Sequence, residues 1–89
     1  MHDFKWIEWN RAKIAKHHLS QDDVEYVINS ARRPYPQRVD DDKLKVWGQT
    51  RAGLFVPVVY VVEPDDKTFV LHARPLTWNE KRRLRRRNR

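Results

Sequence analysis

The stretch GLFVPVVYVV at 53–62 is apolar almost without interruption and rich in β-branched side chains. It falls well short of the ~18 apolar residues a membrane-spanning helix needs, and its composition is that of a strand at the centre of a sheet. Such a strand requires a neighbour on each side, and the flanking sequence supplies both. KLKVWG (43–48) alternates charged and apolar residues, so one of its faces can be wet. TFVLHARP (68–75) is a further strand, joined to the central one by E-P-D-D-K, whose proline and aspartates suit a hairpin turn. Pro57 removes a ladder donor, so a bulge or an unpaired stretch is expected there.

The N-terminal half has a different rhythm. FKWIEW (4–9) alternates apolar and charged residues and reads as a short strand, with Trp6 and Trp9 as core anchors. Asn10 is placed to cap a helix over about 11–18 with Ala12, Ile14 and Ala15 on its apolar side. Ser20 opens S-Q-D-D, a capping box with Asp23 in the position usual for Glu. The helix that follows carries Val24, Val27, Ile28 and Ala31 at helical spacing, and R-R-P-Y-P (32–36) ends it. Residues 34–42 read as an exposed loop. Thr77 is placed to cap a last helix over about 78–87. The order β-α-α-β-β-β-α predicts an α+β fold, with helices packed on a small antiparallel sheet. At 89 residues the chain has room for one domain, 1–89, ending in a basic helix or tail at about 78–89.

Charge narrows the function. The net charge is +7, and the sequence has no cysteine, which excludes disulfides and thiolate metal sites. Neither a signal peptide nor a membrane span is legible, so a cytoplasmic location and no membrane partner are expected. Residues 75–89 hold seven Lys/Arg and one acid, whereas residues 1–74 hold twelve Lys/Arg and eleven acids. The body is nearly neutral and the excess rides on the C-terminal segment. An anionic partner follows, either nucleic acid or an acidic protein.

Several fragments, in order, resemble the BrnT family of bacterial toxins, part of the wider RelE/ParE-like group. Trp9-Asn10-Arg11-Ala12-Lys13 stands where that family has W-D-x-x-K. Lys16-His17-His18-Leu19-Ser20 stands for K-H-G-V-S, and an acidic helix follows. Gly48, Thr50 and Gly53 precede Val58-Val59-Tyr60, in place of the family's T-x-x-G turn and V-V-Y strand. Ala73-Arg74, Glu80 and Arg82 correspond to the S-A-R and E-x-R pieces. The resemblance implies a RelE-like fold and a ribonuclease toxin of a type II toxin–antitoxin pair. It also implies neutralisation by a small DNA-binding antitoxin, for instance of ribbon-helix-helix type, with operator DNA bound only by the complex. The departures are Asn10 for Asp, His18 for Gly, His72 for Ser, and Leu84 where an aromatic is frequent.

RNA cleavage without a metal needs a base for the 2′-hydroxyl, an acid for the leaving 5′-oxygen, and cations for the phosphorane. Histidine can serve either proton role near neutral pH, and arginine's planar, permanently charged fork suits the phosphate. Strict strand alternation groups Val70, His72 and Arg74 on one face and puts Phe69, Leu71 and Ala73 in the core. Arg74, His72 and Arg51 are the expected catalytic residues on this chemistry, and the match to the family's K-H-G implies a place for His17 in the site or as a cap of the first helix. Lys45 and Trp47 share a face and could hold a flanking nucleotide, although Trp47 also suits a core. Arg82, Arg83, Arg85 and Arg86 would add affinity for RNA. Tyr60 reads as core. His17 and His18 are adjacent on a helix, about 100° apart, and do not favour a shared metal; no metal or cofactor is expected. The alternative is a non-catalytic module on the same scaffold that binds nucleic acid or protein. A third reading, gyrase inhibition, would damage DNA and leave RNA intact.

Overall fold

The computed structural model describes residues 2–76 and Arg82. The expected Thr77 cap, most of the helix at 78–87, and Arg83, Arg85 and Arg86 lie outside the described residues. The elements in chain order are β1 (Asp3–Phe4), α1 (Glu8–Ala15), α2 (Gln21–Asn29), β2 (Gln37–Arg38), β3 (Lys43–Gln49), β4 (Phe55–Val62) and β5 (Lys67–Ala73). The five strands form one sheet in the order β1-β5-β4-β3-β2, and β4 is its centre. The sheet is mixed, not purely antiparallel: β1 runs parallel to β5, and the other pairings are antiparallel.

One face of the sheet is covered. Val46 of β3, Val56, Val58 and Tyr60 of β4, and Val70 and Ala73 of β5 are buried there. Against them pack Ile14 of α1, Leu19 of the following turn, and Val24, Val27 and Ile28 of α2. Gly48 belongs to this packing, because a Cβ there would stand 3.2 Å from Val27 Cγ1. The helical period read from Val24, Val27 and Ile28 thus corresponds to the buried side of α2. Its capping box is present on both sides: the Asp23 amide donates to Ser20 Oγ at 3.0 Å, and the Ser20 amide donates to Asp23 Oδ2 at 2.9 Å.

Three expectations at the N-terminus change. The first strand stops at Phe4, and α1 begins at Glu8, three residues before the expected start. Asn10 is therefore in the first turn of the helix, not its cap. It is 1% exposed, its Oδ1 accepts the Ile7 amide at 2.8 Å, and its Nδ2 donates to the Lys5 carbonyl at 3.1 Å. One buried side chain ties the entry strand to the helix start, and the amide is suited to do both. Trp9 is not a core anchor either; it is 47% exposed. Trp6 is half-buried, and its Nε1 donates to Glu25 Oε2 at 2.7 Å.

The turn after α1 accounts for the departure at His18. His18 has φ +61°, its amide donates to the Ala15 carbonyl, and the Leu19 amide donates to the Ile14 carbonyl. That pair of bonds is a Schellman ending, with Leu19 and Ile14 both buried beside it. A left-handed residue with a Cβ costs about 1–2 kcal/mol, which is why glycine suits this place.

One strand expectation changes as well, and the one at Pro57 is met in one of its two forms. β2 lies inside the stretch expected to be loop, and it pairs Gln37 with Lys45 and Arg38 with Leu44. Pro57 sits in register opposite Trp47 on β3 with no bulge, but it has no partner on β5, which is the unpaired stretch expected there. A strand residue's N–H and C=O point the same way, and the Phe55 carbonyl points toward Leu76, beyond the end of β5. The nitrogen of Pro57 faces that side too, where the ladder has already stopped at the Val58–Ala73 pair, so no bond is lost. The hairpin at Glu63–Lys67 forms as expected, with Asp66 at φ +65°.

His18→Gly should raise stability by about 1 kcal/mol, read as a melting temperature roughly 4–8 °C higher. Asn10→Ala should lower stability by roughly 2 kcal/mol or more, since it leaves a buried N–H and C=O without partners. Urea unfolding of the two variants beside the parent measures both effects.

Candidate functional site

The ladder registers define the second face of the sheet, away from α2 but reached by the α1 segment along β5. Lys45 pairs with Val59, Val59 pairs with His72, and Trp47 pairs with Pro57. Directly opposed residues share a face, so Lys45, Val59 and His72 form one row across three strands. Strands lie about 4.8 Å apart, which puts the Cα atoms of Lys45 and His72 about 10 Å from each other.

The register of β5 shifts between the partners of Val59 and Tyr60: Tyr60 pairs with Val70 and Val59 with His72, leaving Leu71 as an extra residue. This irregularity corrects the expected grouping. Val70 is buried with Ala73 under the helices, and Phe69 is half-buried on the face of Val61, its partner. Leu71 is half-buried and does not join the core. Strict alternation fails because the extra residue moves every later side chain of β5 by one face.

His72 meets α1. Its ring lies 6.5 Å from the ring of His17, at 79° to it. Desolvation of the ring lowers the His72 pKa, and the positive charges of Arg74, Lys13 and His17 lower it further. Both effects disfavour the imidazolium and favour the neutral ring, the form that can accept a proton. Arg74 is half-buried, with its Nη1 donating to the Pro75 carbonyl at 3.3 Å. On the far side of the row, Lys45 Nζ lies 4.7 Å from the centre of the Trp47 ring. The Trp47 Nε1 is buried with no hydrogen-bond partner among the described residues.

The structure thus brings His17 and Arg74 within electrostatic reach of His72, with Lys45 and Trp47 both on β3, two strands away. Arg51 is not in this group. Its Nε is 3.7 Å from Asp22 Oδ2, and its guanidinium lies 4.6 Å from the centre of the Tyr26 ring, both on α2 on the covered side. Arg82 is exposed. Tyr60 is in the core, where burial raises its pKa. Among the described residues, no three His, Asp or Glu side chains gather as they would to hold a metal.

Lys13 is a residue the sequence reasoning missed. The signal was present, because Trp9, Lys13 and His17 recur every four residues and share one helix face. Reading Trp9 as core hid it.

No family model matches the chain, and no curated protein does. Among solved structures, the crystal structure of the Brucella abortus ribonuclease toxin BrnT superposes with a TM-score of 0.67 at 22% identity. The match covers 86% of this chain and 99% of that one.

Since the His72 pKa is lowered in the fold, the unfolded chain takes up a proton at this position first. The contribution of His72 to stability is present above the ordinary histidine value of 6.5 and is lost as pH falls through its lower folded value. An NMR titration should place the His72 midpoint below 6.5, and Arg74→Ala should move it back toward that value. By that superposition the chain has the fold of the Brucella abortus ribonuclease toxin BrnT.

Proposed function

We propose that the chain is a metal-independent endoribonuclease and the toxin of a toxin–antitoxin pair, neutralised by a small DNA-binding antitoxin. The observation that carries the reading is an imidazole paired with a second imidazole, ring centres 6.5 Å apart, with the charges of Arg74 and Lys13 acting on it. The fold, shared with a protein described as a ribonuclease toxin, supports the same reading. The substrate is RNA because the chemistry uses its 2′-hydroxyl.

His72 takes the proton from the 2′-oxygen, which attacks the adjacent phosphorus. Arg74 faces the phosphate and stabilises the charge that grows on its equatorial oxygens. His17 gives a proton to the departing 5′-oxygen, so the products are a 2′,3′-cyclic phosphate and a free 5′-hydroxyl. Lys45 and Trp47 hold a neighbouring nucleotide, the cation at the phosphate and the indole against the base. Arg82, Arg83, Arg85 and Arg86 add affinity that does not depend on sequence. Arg51, paired with Asp22, contributes to the field without touching the scissile phosphate. The antitoxin, as an acidic or ribbon-helix-helix partner, would cover these cations, and operator DNA would be bound by the complex.

Induced expression followed by RNA profiling tests this, alone and with the neighbouring gene. Arrest of growth with RNA cut to 5′-hydroxyl ends is expected, relieved by the neighbour. His72→Ala should slow cleavage by about 10²–10⁴-fold, the range that general acid–base catalysis supplies. Arg74→Ala should relieve arrest with the fold retained. Intact RNA and unimpaired growth on expression of the parent would favour a non-catalytic binding module on this scaffold.

A further inference from the structure

Trp9 is unusual for a tryptophan in a chain this small: it is 47% exposed, although the core has few large side chains. It is not loose. Its ring is stacked on Phe69 at 10° with centroids 5.9 Å apart, and Lys13 Nζ sits 4.4 Å from its centroid. Phe69 pairs with Val61, and His72 pairs with Val59, so Phe69 and His72 lie on the same open face. The charge of Lys13 acts on His72, and His17, one helical turn beyond Lys13, touches His72.

The arrangement on one side of the imidazoles is therefore repeated on the other. Lys45 and Trp47 form an ammonium–indole pair on β3, 4.7 Å apart. Lys13 and Trp9 form a second on α1, 4.4 Å apart. His72 stands between them, two strands from the first and flanked by the helix that carries the second.

We propose that Trp9 and Lys13 form a second nucleotide-binding platform, so that single-stranded RNA crosses the strands from Lys45–Trp47, over His72 and His17, to Lys13–Trp9. The inference rests on the ribonuclease reading and gives the substrate a direction across the sheet. Lys13 Nζ, which lies over the indole in the free protein, shifts to the phosphate, and a base takes its place on the exposed indole. Phe69 fixes the plane of the indole from below, so little side-chain freedom is lost on binding. Stacking of this kind accepts any base, since every base offers a π-face. The platform therefore sets where the strand lies and how long a substrate must be, not which base is cut.

A fluorescein-labelled RNA decamer with 2′-O-methyl riboses tests the platform, because the blocked 2′-oxygen prevents cleavage and leaves binding to be measured. Fluorescence anisotropy with the full chain should show Trp9→Ala weakening binding about tenfold, within the range of base–aromatic stacking. Trp9→Phe should retain most of the affinity. Lys13→Gln should weaken binding and lower the magnitude of the salt slope by about 1. Thermal melts identify any variant that fails to fold; should Trp9→Ala do so, the Lys13→Gln salt slope and the Trp9→Phe affinity decide the matter. Parent-like binding by folded Trp9→Ala and Lys13→Gln variants, with Lys45→Ala still weakened, overturns the platform and leaves the ribonuclease reading standing. A parent protein that neither binds the decamer nor cuts unmodified RNA overturns both, and points to a protein partner for the Trp9 surface.

Discussion

Val70 and Ala73 are both buried beneath the helices, although they stand three apart on a strand whose side chains alternate. A regular strand cannot put both on one face. The core takes them through the extra residue at Leu71, where the partner of β4 jumps from Val70 to His72. That single irregularity positions the imidazole. Without it, burying Val70 would leave His72 on the covered side and Ala73 in the open. Burial of two apolar groups thus dictates the bulge, and the bulge places His72 in the row of Val59 and Lys45. A bulge re-aims a side chain in this way at little cost when core contacts on both sides hold it.

The parts of the fold legible in the sequence were those whose causes are local. Ser20 and Asp23 carry their reciprocal bonds in four residues, and Val24, Val27 and Ile28 show their face in two turns. The hairpin at Glu63–Lys67 depends on its own five residues. What escaped has causes far away in the chain. β2 is a strand because β3 offers it an edge. Asn10 is neither the N-cap nor a surface residue because Lys5 presents an acceptor and Ile7 a donor on either side of it. The site divides in the same manner. His72, Arg74, Lys45 and Trp47 were readable as chemistry on strands. The meeting of His17 with His72, and the departure of Arg51 to Asp22 and Tyr26, required the packing of α1 and α2 on the sheet.

Charge follows a similar division. The acids of the body are concentrated at the start of α2, in the turn at 40–42 and in the hairpin at 65–66. Asp22 holds Arg51, Asp40 holds Lys43 and Glu63 holds Lys5. The charges acting on His72, in contrast, are all positive. A nearly neutral body therefore contains a local positive field, which the net charge of residues 1–74 conceals.

That field does two things at once, and on the ribonuclease reading they are linked. The charges that add to desolvation in lowering the His72 pKa are those positioned to attract a phosphate. When a phosphate arrives, its negative charge offsets theirs, and the pKa of His72 rises. The free protein thus holds the imidazole ready to accept a proton, and the bound substrate strengthens it as a base when the 2′-hydroxyl is beside it. Linkage makes the effect reciprocal: protonation of His72 must tighten phosphate binding by the factor through which phosphate binding favours protonation. A product phosphate would consequently bind more tightly as pH falls, while catalysis fails because the base is already occupied. The opposite trends of product affinity and turnover with pH are a property of one imidazole set among cations, with no second titrating group required.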